Sequence, residues 1–261
     1  MRIGIVSTKI YEDAIKAKNE LIQRYNFIDI EATDKIQDVD IIVVLGGDGF
    51  MLRAIHKYYK YSIPFFGINY GNVGFLLNNK DCLEGDLVDV MEKAEKISIN
   101  PLKNEIVDIN DNIFTDISIN ELTLIRNVYK TCDIDIFVNN IKQVANYSGD
   151  GLVVSTPIGS TAYNSSLGGP IISHESNNII LSTISPFRPR TLKSVILQNT
   201  TKLEFNVNYY DVRQVSAFAD FVEYKNIIKV ETQIDKNINI TLLFNDKNSF
   251  NNKIIQEQFK Y

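Results

Sequence analysis

The sequence predicts two domains of different class: a doubly wound α/β domain over residues 1–98 and a mostly β domain over residues 99–245. In the first 98 residues, short apolar segments alternate with segments of helical spacing, as in a parallel sheet covered by helices. After Asn100-Pro101 the pattern changes to short segments in which apolar and polar residues alternate, as in half-buried strands. A chain of 261 residues is long enough for two cores, because domains usually hold about 100 to 150 residues.

In the first domain, residues 39–45 form a nearly continuous apolar and β-branched run, which is typical of a strand buried on both faces of a parallel sheet. Apolar residues at helical spacing and further short apolar runs predict the other elements. These are strands at 2–7 and 64–68, and helices at 11–25, 51–59 and 84–96.

In the second domain, the clearest alternation is at residues 132–138, and Asn139-Asn140 follows it as a turn. The other predicted strands are at 104–109, 113–119, 152–155, 179–184, 194–198, 203–207, 214–218, 227–230 and 238–243. A tail over residues 246–261 is polar but has apolar side chains near its end. We expect these side chains to dock on the first domain; they are Ile254, Ile255, Phe259 and Tyr261.

The composition excludes several classes of protein. With 44% apolar and 23% charged residues, the chain has the composition of a soluble globular protein. No apolar run approaches the roughly 18 residues that a membrane helix needs, and Met1 leads into a strand rather than a signal peptide, so we expect a cytoplasmic protein with no membrane partner. The net charge of −5 gives no basic footprint for nucleic acid.

The residues that could bind metal or act as nucleophiles are few. Cys82 and Cys132 are far apart and lack zinc-ligand spacing, so we expect two free thiols and no zinc site. His56 and His174 are the only histidines, and the sequence has no GxSxG or HExxH motif. A general base would therefore be a carboxylate.

The glycines form three clusters, each beside polar residues. Of thirteen glycines, three are at 46, 47 and 49, three at 67, 71 and 74, and five at 149, 151, 159, 168 and 169. Glycine lets the backbone approach a ligand closely and present its N–H groups to phosphates. The alternative is that the glycines only form tight turns. Three clusters with polar neighbours favour one composite pocket.

The first cluster, Gly46-Gly47-Asp48-Gly49, joins a buried strand to a helix. Ligands of open α/β sheets bind at the carboxyl ends of strands, and a helix N-terminus attracts anions. A carboxylate beside phosphates is unfavourable unless it binds a metal or accepts a proton, so Asp48 is a candidate catalytic base. The alternative is that Asp48 only caps its helix.

Two further elements extend this site. Residues 149–170, GDGLVVSTPIGSTAYNSSLGGP, combine glycines and small hydroxyl residues at a density that core packing does not explain, and they could line a nucleotide groove. Asn120-Glu121 places an amide beside a carboxylate, which suits recognition of sugar hydroxyls or an adenine edge. The second cluster, at residues 67–74, would form the floor of the crevice.

In this order, the four elements resemble the NAD kinase family, which phosphorylates the 2′-hydroxyl of the adenosine ribose of NAD. The resemblance is carried by GGDGFMLRA at 46–54, PFFGINYGNVGFL at 64–76, NE at 120–121 and the long motif at 149–170. The GGDG turn is shared with lipid kinases and relatives of phosphofructokinase, so the long motif is what selects the family.

The resemblance implies a Rossmann-like N-terminal domain, a C-terminal β-sandwich, and a homodimer or homotetramer with NAD bound between domains and sometimes across subunits. It implies ATP or polyphosphate as the donor, with a divalent cation such as Mg²⁺ whose ligands it does not identify. Asp48 would be the base, and Gly46, Gly47 and Gly49 would hold the phosphate donor. The residues implied to contact NAD are Asp48, Gly49, Arg53, Asn120, Glu121, Asp150, Thr161, Ala162, Tyr163, Asn164, Ser165 and Ser166.

Three positions depart from the family pattern. Ile158 replaces a threonine and removes a hydroxyl, and Ser148 replaces an arginine and removes a cation. A later DGQ-like element reads Asp220-Phe221-Val222, so the role of its glutamine is not transferred. Two other functions stay open: a lipid kinase on the same GGDG turn, and a dinucleotide sensor without catalysis.

Overall fold

The computed structural model describes residues 1–33, 36–245 and 250–259. The chain divides into two compact units, the first comprising Met1–Ile99 with Asn239–Tyr261 and the second comprising Asn100–Ile238. Within the described ranges, no helix combines the length and the apolar character needed to cross a membrane.

The chain forms eighteen strands and five α-helices in the described ranges, with short 3-10 turns between some of them. The strands are β1 Ile3–Ser7, β2 Ile28–Asp29, β3 Ile41–Gly46, β4 Phe65–Asn69, β5 Glu95–Ile99, β6 Leu102–Asp108, β7 Ile113–Ser118, β8 Glu121–Arg126, β9 Cys132–Val138, β10 Ile141–Gly149, β11 Gly151–Ser155, β12 Asn178–Ile184, β13 Val195–Gln198, β14 Leu203–Val207, β15 Val215–Ala219, β16 Val222–Tyr224, β17 Ile227–Ile234 and β18 Ile240–Phe244. The helices are α1 Glu12–Tyr25, α2 Asp48–Tyr58, α3 Leu87–Glu92, α4 Tyr163–Ser166 and α5 Phe250–Gln258.

The first unit is built on a six-stranded sheet in the order β2-β1-β3-β4-β18-β5. All neighbouring strands are parallel except β18 and β5, which are antiparallel. Every residue of β3 is buried, as its apolar sequence predicts for a central parallel strand. Helices α1 and α3 pack their apolar faces into one cluster with the sheet, through side chains such as Leu21 and Met91. The predicted α/β class of this part of the chain is confirmed.

Two predictions for the first unit are wrong. The helix expected at 84–96 spans Leu87–Glu92, and Glu95–Ile99 form β5, in which Ile97 and Ile99 are buried while the other three residues are exposed. The strand expected in the second domain at 238–243 is β18, which pairs with β4 and β5 of the first sheet. The predicted 99–245 domain is therefore too long, because a strand from far along the chain completes the first sheet.

The second unit contains two six-stranded antiparallel sheets, ordered β10-β9-β14-β17-β6-β7 and β13-β12-β11-β8-β15-β16. Alternate residues of both sheets meet in one buried cluster, which includes Ile134 and Phe205 from the first sheet and Leu124 and Val154 from the second. Two antiparallel sheets that share a core in this way form a β-sandwich. The β-sandwich implied by the resemblance is confirmed.

The cysteines behave as expected, since Cys82 and Cys132 are both free and buried. The pKa of each thiol is raised to about 12, mainly by burial. Cys132 donates its thiol proton to the Gly149 carbonyl at 3.2 Å. Both residues therefore act as small apolar side chains of the core.

The C-terminal tail belongs to the first unit, and of the four apolar side chains expected to dock there, Ile254 is half-buried. Phe250 is fully buried at the start of α5, with its ring centroid 6.5 Å from that of Phe75, and Lys253 is 6% exposed. Ile255 and Phe259, by contrast, are largely exposed. Residues 246–249, 260 and Tyr261 lie outside the described ranges.

Candidate functional site

Asp48 is the first residue of α2, directly after β3 and the Gly46-Gly47 turn. Its side chain does not cap its own helix, which excludes the capping alternative. Instead the carboxylate accepts three backbone hydrogen bonds from the loop after β4. Gly74 and Phe75 donate their N–H groups to Oδ2, both at 3.1 Å, and Leu76 donates to Oδ1 at 2.8 Å.

This geometry leaves Asp48 able to accept a proton. A carboxylate has about four acceptor positions, two on each oxygen. The three loop donors use both positions of Oδ2 and one of Oδ1, so one position on Oδ1 remains. Burial raises the pKa of Asp48 above its ordinary value, while the three N–H groups and the charge of Lys253 act in the opposite direction. A raised pKa strengthens a carboxylate as a base.

The first and second glycine clusters lie side by side. The Tyr70 N–H donates to the Gly46 carbonyl at 2.8 Å, and a Cβ on Gly71 would lie 3.1 Å from Gly47 Cα. Gly74 has a φ of +73°, and a Cβ there would lie 2.4 Å from the Asn69 side chain. Only glycine fits this position, and its conformation turns the loop toward Asp48.

The remaining predicted residues of the first unit differ in exposure. Gly49 is exposed, and a Cβ there would meet nothing within 4 Å, so its backbone is open to a ligand. Arg53 lies exposed on α2, one turn after Gly49. Gly46 and Gly47 form the turn itself. Gly46 packs against the ring of Phe50, so its lack of a side chain serves packing as well.

In the second unit, the carboxylate of Asp220 holds the backbone of Asn120-Glu121. Oδ2 accepts the Ile119 N–H at 2.7 Å, and Oδ1 accepts the N–H groups of Asn120 and Glu121 at 2.9 and 3.1 Å. Asp220 itself has a φ of 52°, in the left-handed region. Sequence reasoning missed this role, because Asp220 is 100 residues from Asn120.

Gly159 of the long motif packs directly on the same backbone. A Cβ at this position would lie 2.0 Å from the Asn120 carbonyl oxygen and 2.4 Å from its carbon. Thr156 adds two bonds, donating its hydroxyl to the Ile119 carbonyl at 2.6 Å and its N–H to the Asn120 carbonyl at 2.9 Å. Thus two predicted elements, the Asn120-Glu121 pair and the long motif, are in direct contact.

Glu121 is the most perturbed carboxyl of this group. Its pKa is raised to about 8, first by burial and then by the negative charge of Asp220, although the Tyr163 N–H lowers it. Within the described ranges, its Oε2 is buried and has no hydrogen-bond partner. A buried polar atom without a partner is unfavourable, and a bound ligand can satisfy it.

Residues 161–166 form a short helical turn beside Glu121. Thr161, Ala162, Tyr163 and Ser165 are half-buried and Ser166 is exposed, so each can reach a ligand. Asn164 is different, since it is fully buried. Its amide donates to the Ser160 and Pro170 carbonyls at 3.1 and 2.9 Å, and its oxygen accepts from Ser182 at 2.6 Å. The Asn164 side chain therefore holds the motif in shape, and the expected contact of Asn164 with NAD stays a prediction.

Asp150 lies apart from this group. Strand β11 pairs antiparallel with β8, so that Ser155 is opposite Glu121 and Gly151 is opposite Ile125. Asp150 therefore lies at the far end of the strand pair, roughly 17 Å along it from Glu121. There it forms an ion pair with Arg126 at 2.5 Å. The structure does not bring Asp150 together with Glu121 in one chain.

The departures from the family pattern have local explanations. Ile158 is 3% exposed, so its side chain belongs to the core rather than to a ligand surface. Ser148 donates its hydroxyl to Thr131 at 2.8 Å, and Arg213 donates to the same Thr131 hydroxyl at 2.9 Å. Arg213 thus places a cation near the position where the family has arginine.

The described residues do not form a metal site of their own, since they contain no group of three or more His, Cys, Asp or Glu side chains arranged to hold an ion. Three acceptor positions of the Asp48 carboxylate are occupied by hydrogen bonds from backbone N–H groups.

Comparison with known proteins gives a consistent assignment. Residues 6–84 match the ATP-NAD kinase N-terminal domain and residues 119–235 match the ATP-NAD kinase C-terminal domain. The NAD kinase of Rickettsia canadensis (strain McKiel) is 35% identical over 99% of this chain and 98% of its own length. That of Rickettsia felis is 38% identical over 92% of this chain and 91% of its own length.

Solved structures support the same fold. Yeast NADH kinase, determined with NADH, has a TM-score of 0.85 at 18% identity, over 100% of this chain and 88% of its own. An NAD kinase from Archaeoglobus fulgidus, determined with ATP, has a TM-score of 0.78 at 24% identity, over 99% of both chains. Together with the two domain matches and the sequence relatives, these likenesses establish that the chain belongs to the NAD kinase family.

Proposed function

We propose that this protein is an NAD kinase that transfers the γ-phosphoryl group of ATP to the 2′-hydroxyl of the adenosine ribose of NAD. The observation that carries the proposal is the Asp48 carboxylate, which is oriented by three backbone donors and keeps one acceptor position on Oδ1. It lies in a glycine turn at a helix N-terminus, where phosphates bind favourably.

In the proposed reaction, the ribose hydroxyl oxygen attacks the γ-phosphorus in line with the leaving group. A bond forms between that oxygen and phosphorus, the bond from phosphorus to the β–γ bridging oxygen breaks, and ADP leaves. The hydroxyl proton passes to Asp48. General-base assistance of this kind is typically worth about 10² to 10⁴ in rate, and positioning of the reactants contributes further.

The first unit would bind the phosphate donor at its glycine turn. The backbone of Gly47 and Gly49 would supply the closely approachable surface, and the open position of Gly49 supports this assignment. Gly46 is buried and would act by forming the turn that carries them. The donor would carry its own divalent cation, as MgATP or as a metal complex of polyphosphate. The cation would neutralise phosphate charge that otherwise repels Asp48.

The second unit would bind NAD. We assign the dinucleotide contacts to Asn120, Glu121 and the turn at residues 161–166. Oε2 of Glu121 is buried and has no hydrogen-bond partner within the described ranges, so a ligand can bond to it. A ribose hydroxyl or an exocyclic amine of adenine can supply that donor. The half-buried ring of Tyr163 is available for stacking on a ring of the ligand.

The direct test incubates the purified protein with NAD, ATP and Mg²⁺ and follows NADP formation. We expect ATP-dependent NADP. Tight binding of NAD without any NADP would instead support a dinucleotide sensor. Phosphorylation of a lipid in vesicles, with none of NAD, would support the lipid kinase that shares the GGDG turn.

We further propose that Asp150 reaches NAD in a second copy of the chain, in a homodimer or homotetramer. Its placement at the far end of the β8–β11 pair from Glu121 supports this arrangement. Each complete site would then combine Asp48 of one copy with Asp150 of another.

A mixing experiment tests this arrangement. Asp48→Asn and Asp150→Asn chains are each purified, and are then mixed under conditions that allow subunits to exchange. If Asp150 acts across subunits, half of the dimers are mixed and each regains one intact site, so activity returns to roughly a quarter of the wild-type value. No activity above that of the separate variants would contradict the proposal, and full activity of Asp150→Asn alone would remove Asp150 from the site.

A further inference from the structure

Lys253 is a buried lysine next to the loop that orients Asp48. It lies on α5, near the C-terminus of the chain, and is 6% exposed. Its ammonium group donates to the Gly74 carbonyl at 2.6 Å and to the Leu77 carbonyl. The two acceptors bracket the segment whose N–H groups bind Asp48.

One peptide group connects the two sets of bonds directly. The carbonyl of Gly74 and the N–H of Phe75 belong to the same planar trans peptide and point in opposite directions. The carbonyl accepts from Lys253, and the N–H donates to Asp48 Oδ2 at 3.1 Å. Hydrogen bonds at both ends of a peptide polarise and strengthen each other, and together they fix the orientation of the peptide.

Packing alone does not account for a lysine here. Removing an ammonium group from water is unfavourable unless hydrogen bonds and charge compensate it, and an apolar side chain would attach α5 to the unit without that penalty. The neighbouring Phe250 already attaches α5 by burying its ring. The partners of Lys253 include two loop carbonyls and, through space, the Asp48 carboxylate, and these contacts place its charge at the loop that orients Asp48.

We propose that Lys253 is a positioning residue for the phosphoryl transfer, holding the 74–77 loop so that its N–H groups orient the Asp48 carboxylate toward the acceptor hydroxyl. This inference rests on the proposed function, because it needs Asp48 as the base. It also gives the C-terminal helix a part in catalysis, although Lys253 itself touches no substrate.

The test compares Lys253→Met, Lys253→Gln and Lys253→Arg in the full chain, measuring kcat, KM for NAD and the dependence of kcat on pH. Lys236→Met is the matched control, because it removes the same charge from an exposed turn. We expect Lys253→Met to lower kcat about tenfold or more with a smaller change in KM, since misplacement of a catalytic group mainly slows the chemical step. Lys253→Arg, which keeps the charge and the donors, should restore most of the activity.

The pH profile separates positioning from a merely structural role. The Lys253 charge lowers the pKa of Asp48, so its removal in Lys253→Met or Lys253→Gln should move the acidic limb of the kcat profile to higher pH, by roughly half a unit or more. Lys253→Gln keeps an amide donor for a carbonyl, so it provides this readout even if Lys253→Met fails to fold. Lys253→Arg should leave the limb in place.

Two outcomes are distinguishable. If Asp48→Asn, assayed alongside, keeps wild-type turnover, the proposed function fails and this inference fails with it. If Asp48→Asn is inactive while Lys253→Gln matches Lys236→Met in both kcat and the acidic limb, Asp48 is still supported as the base. Only the proposed role of Lys253 is then overturned.

Discussion

Because Gly159 lies so close to the Asn120 backbone, replacing it by alanine should disturb the second unit. In Gly159→Ala, the new Cβ would lie 2.0 Å from the Asn120 carbonyl oxygen and 2.6 Å from Asn120 Cα, well below the 3.0 Å that real Cβ contacts keep. The obstructing atoms are backbone, which cannot rotate away as a side chain would. The strand end that carries Asn120 and Glu121 must therefore move.

The size of the effect follows from this overlap. Relieving it requires a shift of about 1 Å, which would weaken the bond from the Thr156 N–H to the Asn120 carbonyl, now 2.9 Å. Overpacking in a filled core typically costs about 1–3 kcal/mol of folding free energy. A misplacement of about 1 Å in a binding or catalytic group can cost about 100-fold in activity.

The assay measures urea unfolding and the steady-state kinetics of NADP formation. We expect Gly159→Ala to lose about 1–3 kcal/mol of stability and to raise KM for NAD more than tenfold, with little change in KM for ATP. Gly85→Ala is the matched control, because a Cβ there meets nothing within 4 Å. A Gly159→Ala protein with wild-type stability and wild-type KM for NAD would refute the idea that this glycine sets the position of Asn120 and Glu121.

Two further predictions concern the second unit. Burial and the charge of Asp220 raise the pKa of Glu121 in the folded protein to about 8. The folded protein therefore has its full stability below the ordinary pKa of glutamate, and it loses stability as the pH rises from there through 8. The stability of Glu121→Gln relative to wild type should therefore increase between pH 5 and pH 9, by on the order of 4 kcal/mol. An unchanged difference in melting temperature across that range would contradict this. Asn164→Ala should lose about 2–4 kcal/mol of stability in urea unfolding, because the Ser160 and Pro170 carbonyls and the Ser182 hydroxyl each lose a hydrogen bond, although Ser182 keeps its bond with Ser194. KM for NAD of the folded protein should stay within a few-fold of wild type. Wild-type stability with a strongly raised KM would show instead that this side chain contacts NAD.

The sequence predicted those parts of the fold that depend on local pattern. Strand β3 was predictable because a strand buried on both faces is apolar throughout. Strand β9 was predictable because apolar and polar residues alternate in a half-buried strand. Strand β10 was missed, since most of its side chains are exposed and its register shifts twice. Strand β18 was assigned to the wrong domain, because its place beside β4 is decided by pairing across the chain.

In the candidate site, too, local sequence pattern revealed some residues, and contacts between distant segments revealed others. The glycine turn pointed to Asp48, while Asn120 and Glu121 were proposed as an amide beside a carboxylate and through the family resemblance. The residues that hold these groups in place could not be found from local sequence pattern. Asp220 is 100 residues from Asn120, and Lys253 is 179 residues from Gly74. Such contacts arise only when the fold brings distant segments together.

The central claim is that Asp48 accepts the proton of the attacking hydroxyl, and the most direct measurement is the turnover of Asp48→Asn with NAD and MgATP. The variant keeps the size of the side chain but loses the carboxylate. We predict that kcat falls by about 10² or more, while NAD binding, measured by calorimetry, stays near wild type. Turnover close to wild type in a folded Asp48→Asn protein would contradict the account.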